Sequence, residues 1–458
     1  MVSGTIAAIA TAVNNSGINI IRISGEDAVD IAYKIFTPNK KDKDIRNVPS
    51  HTVHYGFIKD NDEIVDEVML IIMRAPNTYT REDVVEIDCH GGVIVTKKIL
   101  EIVINAGASP AMPGEFTKRA FLNGRIDLSQ AEAVMDIINS KSELALKSSL
   151  RQLKGNIKDK ISHLRQIIIE DVAYIEAALD DPEHMSIDDY KDTLCNNVKY
   201  CFKEIGKLID SYDNGKNIKE GIDTVIVGKP NAGKSSFLNA VIGHERAIVT
   251  DIEGTTRDII KEEVNINGIV LNIIDTAGIR DTKDVIEKMG IDKAIEYLEN
   301  SDLVIYIADS SKNLDDNDYS IIDKIKDKKA IILLNKTDLE QKISVYDLNK
   351  LTDKKVISIS AKNSEGLDEV YETLKKMFFN GNIDFNDEVI ITNARQKEAL
   401  VNAKESLNNV IESIENDMPE DFYSIDMMGA YEALGLVNGQ SLEDDLADTI
   451  FEKFCMGK

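Results

Sequence analysis

One segment decides the fold: Gly228-Lys229-Pro230-Asn231-Ala232-Gly233-Lys234-Ser235. It matches the GxxxxGK(S/T) pattern and directly follows residues 224–227, whose apolar character predicts a strand. In a strand–loop–helix context the glycines let backbone N–H groups surround phosphates at the start of a helix. We expect the Lys234 ammonium to neutralise the β- and γ-phosphates and the Ser235 hydroxyl to bind Mg²⁺.

Three later motifs identify the rest of the nucleotide site. Asp275-Thr276-Ala277-Gly278 ends a strand predicted over residues 269–275, which places Asp275 near the metal and the Gly278 N–H near the γ-phosphate. Asn335-Lys336-Thr337-Asp338 ends the strand predicted over residues 330–335. The Asp338 carboxylate can accept hydrogen bonds from guanine N1–H and the exocyclic amine, a donor pair that adenine lacks. Ser360-Ala361-Lys362 would support the guanine oxygen, so the sequence predicts GTP.

A polar loop between these motifs contains Gly254-Thr255-Thr256-Arg257-Asp258. Thr256 is the expected switch threonine, which closes on Mg²⁺ when the γ-phosphate is present, and the alternative is a merely flexible polar loop. The predicted GTP contacts are Asn231, Ala232, Gly233, Lys234, Ser235, Ser236, Thr250, Thr255, Thr256, Asp275, Thr276, Ala277, Gly278, Asn335, Lys336, Asp338, Ser360, Ala361 and Lys362.

The residue that would orient the attacking water is unusual. Ras-like enzymes carry a glutamine just after the DxxG motif, whereas this chain has Ile279, which cannot polarise water. A carboxylate from the second switch is the expected substitute, and Glu287 is the candidate. The alternative is that Glu287 is an exposed helix residue.

The pattern of elements predicts a multidomain protein. Strands and helices alternate over residues 222–378, as in a doubly wound sheet, whereas helical spacing dominates before and after this part. We expect an α+β domain over 1–118, a discontinuous all-α helical domain over 119–216 and 381–458, and an inserted α/β Ras-like P-loop GTPase domain over 217–380. Insertion is tolerated where the ends of the inserted segment lie close together.

Composition narrows the class of protein. The 458 residues carry a formal net charge of −26, which disfavours bulk electrostatic binding of nucleic acid but does not exclude RNA as a substrate. The four cysteines form no CxxC pair, so reduced thiols are expected. The opening residues resemble a weak signal-peptide core but follow no Lys or Arg, and no run of 18 apolar residues occurs. We therefore expect a cytoplasmic protein without a membrane span.

Residues far outside the nucleotide motifs resemble the MnmE (TrmE) family of tRNA modification GTPases. The resemblance covers essentially the whole chain. It is carried by Ile20-Ile21-Arg22-Ile23-Ser24-Gly25, Glu82-Asp83-Val84-Val85-Glu86, Pro113-Gly114-Glu115-Phe116-Thr117, Arg119-Ala120-Phe121-Leu122-Asn123-Gly124-Arg125-Ile126-Asp127-Leu128 and the closing Cys455-Met456-Gly457-Lys458.

The resemblance implies an activity. With the flavoprotein MnmG, such proteins add an aminomethyl-type or carboxymethylaminomethyl-type group to C5 of the tRNA wobble uridine. A reduced folate such as 5-formyltetrahydrofolate would supply the one-carbon unit. The resemblance also implies a homodimer formed through the first domain, a heterotetramer with MnmG, and K⁺-dependent GTP hydrolysis when two GTPase domains meet.

The resemblance also implies the roles of particular residues. Glu287 matches the family's water-orienting glutamate and would act with Lys234 and Asn231 in catalysis. Potassium would be held by Asn231, Thr250, Ile252 and Thr255, in the place where other systems have an arginine finger.

A second set of residues matches the folate site of the family. Cations suit the carboxylates of a folate, and a carboxylate suits the hydrogen-bond donors of its pterin ring. The matching residues are Arg22, Glu86, Arg125 and Lys458. Cys455 matches a cysteine whose thiolate could attack uracil C6, although a packing or positioning role is the alternative.

Two other functions remain as alternatives. One is a ribosome-assembly GTPase that binds rRNA, which the closing Cys-x-Gly-Lys and the folate-type domain disfavour. The other is a signalling switch in which the first domain is only an oligomerisation module.

Overall fold

The computed structural model describes residues 4–39, 44–181, 183–184, 190–244, 261–274, 301–379, 389–416, 418–440, 450–451, 454 and 457. The chain forms two compact units. The first comprises Met1–Ile138, Ser149–Ile205 and Glu398–Lys458, and the second comprises Asn139–Ser148 and Gly206–Lys397. The strongly apolar α/β segment predicted from the phosphate motif lies in the second unit.

The strands follow the apolar runs of the sequence. They are β1 (Ile6–Ile9), β2 (Ile18–Ser24), β3 (Phe36–Pro38), β4 (Thr52–Asp60), β5 (Glu63–Met73), β6 (Val84–His90), β7 (Ser109–Pro110), β8 (Ile222–Val227), β9 (Lys261–Ile266), β10 (Ile269–Ile274), β11 (Leu303–Asp309), β12 (Ala330–Asn335) and β13 (Lys355–Ser358).

The helices occupy the stretches in which apolar residues recur every three to four positions. They are α1 (Ala28–Ile35), α2 (Val93–Asn105), α3 (Glu115–Leu122), α4 (Leu128–Ile138), α5 (Glu143–Leu153), α6 (Asn156–Asp180), α7 (Lys191–Asp210), α8 (Tyr212–Glu220), α9 (Lys234–His244), α10 (Asp316–Lys324), α11 (Val345–Asn349), α12 (Leu367–Phe379), α13 (Ala394–Glu415) and α14 (Glu420–Asn438).

The sheet of the first unit has the order β3-β4-β5-β6-β2-β1-β7. Its neighbours are antiparallel except for the parallel pair β1–β7. Because side chains alternate along a strand, Ile21 and Ile23 enter a core shared with α1 and α2, whereas Arg22 between them points to the other face. The register pairs Arg22 with Glu86 on β6, so this face carries charged side chains.

The helical part of the first unit is built on α6 and α14, which pack together. One face of α6 carries apolar side chains that are buried, including Ile161, Leu164 and Ile168. Near the end of the chain, Phe451 and Phe454 pack on a cluster that includes Ala120 of α3. Gly114 lies against them, since a Cβ at this position would stand 2.6 Å from the Cβ of Phe454.

The sheet of the second unit has the order β13-β12-β11-β8-β10-β9. All neighbours are parallel except the β9–β10 hairpin, in which Asn267 and Gly268 both have positive φ. Strand β8 is central, flanked by β10 and β11, and its carboxyl end leads directly into the phosphate motif. This is the crevice where α/β folds bind ligands.

Most predicted elements are confirmed. The strand predicted over residues 330–335 has those bounds as β12, and the strand predicted over residues 224–227 lies within β8. The apolar opening of the chain forms β1, paired with β2 and β7. The predicted multidomain fold class is confirmed, while the exact boundaries of the three predicted domains remain predictions. No helix in the described ranges is both long and apolar enough to cross a membrane.

Candidate functional site

The phosphate loop of the second unit connects β8 to α9 through a backbone that side chains would obstruct. Gly228, Asn231 and Gly233 all have positive φ. A Cβ on Gly228 would stand 2.4 Å from the carbonyl oxygen of Ile307, and one on Gly233 would stand 2.0 Å from Nδ2 of Asn335. The glycines are therefore required by close packing as well as by conformation.

Lys234 lies over the loop that it follows. Its ammonium donates to the carbonyl oxygens of Gly228, at 2.6 Å, and Lys229, at 3.1 Å. Burial lowers the pKa of the Lys234 ammonium, because the charged form loses water. Ser235 and Ser236 follow in the first turn of α9 and are exposed. An ammonium beside exposed hydroxyls at a helix N-terminus is an arrangement that can bind phosphate and a metal ion.

Asn335 joins the phosphate loop to the third motif. Its Nδ2 donates to the Ala232 carbonyl at 2.9 Å, and its Oδ1 accepts from the Ala361 N–H at 3.0 Å. The side chain is buried. One amide therefore fixes the spacing between the loop for the phosphates and the loop for the base.

The predicted base-reading residues are held by their neighbours. Buried Ser360 donates its hydroxyl to Oδ1 of exposed Asp338 at 2.9 Å. This bond orients the carboxylate and leaves its other oxygen available. The Lys336 ammonium contacts Asp309 at 2.6 Å, a partner that the sequence motifs did not identify. Burial favours the neutral form of Asp309, but hydrogen bonds from Lys336 and Ser311 outweigh it and lower the pKa of that carboxyl.

In the first unit, contacts link three of the predicted folate-site residues, since Arg22 pairs with Glu86 and approaches the same aromatic ring as Arg125. The Nε of Arg22 donates to Glu86 at 2.8 Å, and the same guanidinium donates to the Gly457 carbonyl at 3.2 Å. Gly457 has φ 84°, and a Cβ there would stand 2.4 Å from the Ile9 carbonyl. Gly457 therefore contacts the sheet of the first unit. This contact is required if the closing motif contributes to a site on that sheet.

Tyr79 is the central aromatic residue of this group, and no sequence motif predicted it. The guanidinium of Arg125 lies 4.8 Å from its ring centroid and that of Arg22 lies 5.9 Å from it. The Tyr79 hydroxyl is hydrogen-bonded to Thr117 at 2.9 Å. The loop containing Tyr79 carries mostly polar residues, so hydrophobic periodicity does not indicate a role for it.

A buried cation holds the loop that contains Tyr79. Arg119 is 2% exposed and contacts Glu82 at 3.1 Å and Glu115 at 2.9 Å. The Ser24 hydroxyl also donates to Glu82, at 2.7 Å. Because an uncompensated buried charge is strongly unfavourable, these carboxylates define where Arg119 and the loop must lie.

Known proteins match this chain over its full length. The family model described as the GTP-binding protein TrmE N-terminus matches residues 5–125, and the one described as the MnmE helical domain matches residues 128–455. A tRNA modification GTPase MnmE of Lachnoclostridium phytofermentans is 57% identical over 458 residues, which cover 100% of each chain. The chain belongs to the MnmE family of tRNA modification GTPases.

Other MnmE relatives agree over the full length. Those of Thermoanaerobacter pseudethanolicus and Clostridioides difficile are 48% and 46% identical, again with 100% of each chain covered. Among solved structures, the G domain of the T. maritima FeoB iron transporter is 29% identical over 34% of this chain and 97% of its own, at a TM-score of 0.26, too low to compare the folds. MnmE membership makes the protein a GTPase and favours tRNA modification over ribosome assembly.

Several of the predicted site residues lie outside the described ranges. Within the described ranges, no group of three or more His, Cys, Asp or Glu side chains could hold a metal ion. The predicted residues outside those ranges are Thr250, Ile252, Thr255, Thr256, Asp275, Thr276, Ala277, Gly278, Glu287, Cys455 and Lys458.

Replacement of Asp338 should change which nucleotide is bound. Asp338→Asn removes an acceptor for the guanine amine, so we expect GTP affinity to fall roughly tenfold to hundredfold, the loss typical of charged hydrogen bonds. Xanthosine triphosphate, which has an acceptor at that position, should bind the variant better than GTP does. Titration calorimetry with both nucleotides measures this.

The matched control is Asp353→Asn, because this carboxylate lies in the same unit and is 85% exposed. It should bind GTP as the unaltered protein does. Unchanged nucleotide preference in Asp338→Asn would contradict the role of this carboxylate.

Proposed function

We propose that this GTPase, together with the flavoprotein MnmG, adds a (carboxymethyl)aminomethyl-type group to C5 of the tRNA wobble uridine with a folate one-carbon unit. The observation that carries the proposal is a connected group of side chains: Arg22 pairs with Glu86 and bonds to the Gly457 carbonyl, and Arg22 and Arg125 both approach the Tyr79 ring. A signalling switch or an rRNA-binding GTPase has no need for such a group of charges on its first sheet.

The nucleotide would be bound by the phosphate loop and the two loops that Asn335 joins. Lys234 would exchange its bonds to Gly228 and Lys229 for bonds to the β- and γ-phosphates, an exchange that keeps the ammonium paired. Asp338 would accept from the guanine, and Lys336 would lie beside it. The backbone of the loop Ser360-Ala361-Lys362 would support the guanine oxygen, while the Ala361 N–H itself is engaged by Asn335.

Magnesium fits the exposed hydroxyl of Ser235, with Thr256 as the second protein ligand in the proposal. When bound, the ion neutralises charge on the phosphate oxygens. This chain's own contribution is the placement of an oxygen ligand in the first turn of α9, beside Lys234.

Potassium is proposed at Asn231, which is exposed and has a positive φ. Thr250, Ile252 and Thr255 complete the proposed ligand set. A monovalent cation there supplies positive charge in the transition state. Glu287 is proposed to orient the attacking water, because Ile279 cannot.

The folate pocket would use the first unit's charges and its aromatic ring. The guanidinium groups of Arg22 and Arg125 are suited to the carboxylates of 5-formyltetrahydrofolate, and Glu86 is suited to the donors of the pterin ring. Tyr79 offers an aromatic ring that both guanidinium groups approach. Lys458, one residue beyond Gly457, is proposed as a further cation, and Cys455 as a group that either attacks the uridine or positions it.

The proposed assembly is a cytoplasmic homodimer that binds two MnmG subunits as a heterotetramer and acts on tRNA. With a net charge of −26, this chain is a poor candidate for sole binding of tRNA phosphates. A partner that provides positive charge is consistent with that balance. GTP hydrolysis would open and close the paired GTPase domains during the modification cycle.

Folate binding should depend on Arg22. Arg22→Met removes a guanidinium that can bind a carboxylate, so we expect the affinity for 5-formyltetrahydrofolate to fall about tenfold or more. Titration calorimetry measures the affinity. Arg46→Met is the matched control, since Arg46 is an exposed arginine of the same unit paired with Asp44. Absence of micromolar binding by the unaltered protein would refute the folate pocket.

GTP hydrolysis should depend on the monovalent cation. In KCl we expect turnover about tenfold or more above that in NaCl at equal ionic strength, because Na⁺ fits the same ligands poorly. Phosphate release at saturating GTP measures turnover. Glu287→Ala should abolish turnover in both salts while GTP affinity is kept.

Equal rates in the two salts would argue against the Asn231 site. Persistent turnover in Glu287→Ala would mean that another group orients the water. Neither result would affect the assignment of GTP as the nucleotide.

Loss of the protein should change tRNA. In cells that lack it, mass-spectrometric nucleoside analysis should find wobble uridines without their C5 substituent, and re-expression should restore the substituent. Re-expression of Asp338→Asn serves as the control for the requirement for GTP and should not restore it. Fully substituted wobble uridines in the deletion strain would overturn the proposed function.

A further inference from the structure

Lys229, the second residue of the phosphate loop, directs its side chain away from the loop. Its ammonium contacts Asp315 at 2.6 Å and Asp318 at 2.5 Å. Asp315 is the N-cap of α10, and Asp318 lies in the first turn of that helix. A lysine that could contact phosphate is instead paired with two carboxylates on a neighbouring helix.

Asp318 is a fully engaged buried carboxylate. Its side chain is 5% exposed. Besides Lys229, it accepts from the hydroxyl of the fully buried Tyr306 at 2.7 Å and from the Asp315 N–H at 2.9 Å. Asp315 in turn accepts from the Asp318 N–H, completing the capping box of α10. The position of Asp318 is thus set by β11 and by the start of α10.

The main chain of Lys229 takes part in the nucleotide loop at the same time. Its carbonyl accepts from the Lys234 ammonium at 3.1 Å and from the Ala232 N–H at 3.2 Å. The side chain of Lys229 therefore connects α10 to the backbone against which Lys234 rests.

The charge of Lys229 is maintained in this position. Burial favours the neutral amine, but the hydrogen bonds that the ammonium donates to Asp315 and Asp318 outweigh this effect and raise the pKa of Lys229. The ammonium is charged at neutral pH and leaves its carboxylates only at a cost, since Asp318 would then be buried without a counter-charge.

We propose that Lys229 is a positioning residue, which holds the phosphate loop in its nucleotide-binding shape through the ion pair with Asp318 and does not itself contact phosphate. This proposal goes beyond the proposed function and rests on it only in taking this loop as the phosphate site. The loop is bound at its start by β8 and at its end by Asn335, and Lys229 supplies a third point of support. Without that support, the backbone of the phosphate loop would be less ordered, and it would lose more conformational entropy when phosphate binds.

The test measures affinities for GTP and GDP in the full-length protein. Lys229→Met should weaken both nucleotides by a similar factor, about tenfold. Turnover at saturating GTP should change by less than about twofold, because no transition-state contact is removed. Lys229→Arg keeps the charge and should recover most of the affinity. Lys326→Met is the control, since it breaks an exposed ion pair with Asp323 on the same helix and should change nothing.

The partner residue provides the second measurement. Asp318→Asn and the double variant with Lys229→Met should lose about the same affinity as Lys229→Met alone, because all three break one interaction. If Asp318→Asn does not fold by circular dichroism, the exposed Asp315→Asn takes its place in the cycle and should show smaller but still non-additive losses.

Three results would overturn the proposal: unaltered affinities in Lys229→Met, strictly additive losses in the double variant, or a loss confined to GTP, which would indicate direct contact with the γ-phosphate. Failure of the proposed nucleotide site looks different. In that case the unaltered protein itself would bind neither GTP nor GDP.

Discussion

The hydrogen bonds of the Asn335 side chain are the interaction on which the nucleotide site depends. A single buried amide bonds to the Ala232 carbonyl in one loop and to the Ala361 N–H in another. The two loops are distant in sequence. In the described ranges, the Asn335 side chain is the hydrogen-bonded link between them. Only glycine at position 233 leaves room for the amide, because a Cβ would stand 2.0 Å from its nitrogen. The glycine of the motif and the asparagine of a later motif are therefore one structural requirement.

Much of the second unit could be predicted from sequence because its signals are local. Runs such as Leu303–Asp309 and Ala330–Asn335 are apolar throughout, as buried parallel strands must be, and motif residues follow directly at their carboxyl ends. The partners of those motif residues could not be predicted. Lys229 and Asp318 are unremarkable in sequence, and their ion pair exists only because β8 and β11 are neighbours in the sheet. Likewise, nothing in the pattern around Tyr79 indicates that two guanidinium groups approach its ring.

The first unit shows how a strongly acidic chain can hold arginine side chains in place. Arg22 on β2 is paired with Glu86, and Arg119 on α3 is paired with Glu82 and Glu115. These carboxylates order the two guanidinium groups before any ligand binds, so less conformational entropy is lost on binding. The electrostatic field of the net negative chain would repel an anionic ligand. Guanidinium groups that are already in place make such binding feasible.

The bond between Arg22 and the Gly457 carbonyl joins residues 435 positions apart. A ribosome that adds about 5–20 residues per second needs roughly 20 to 90 seconds to travel that distance. The sheet around Arg22 can fold soon after it emerges, but its contact with residue 457 forms only when translation is nearly finished. A nascent chain therefore acquires its phosphate loop first, and premature termination would yield a fragment with a nucleotide-binding fold and an incomplete first-unit pocket.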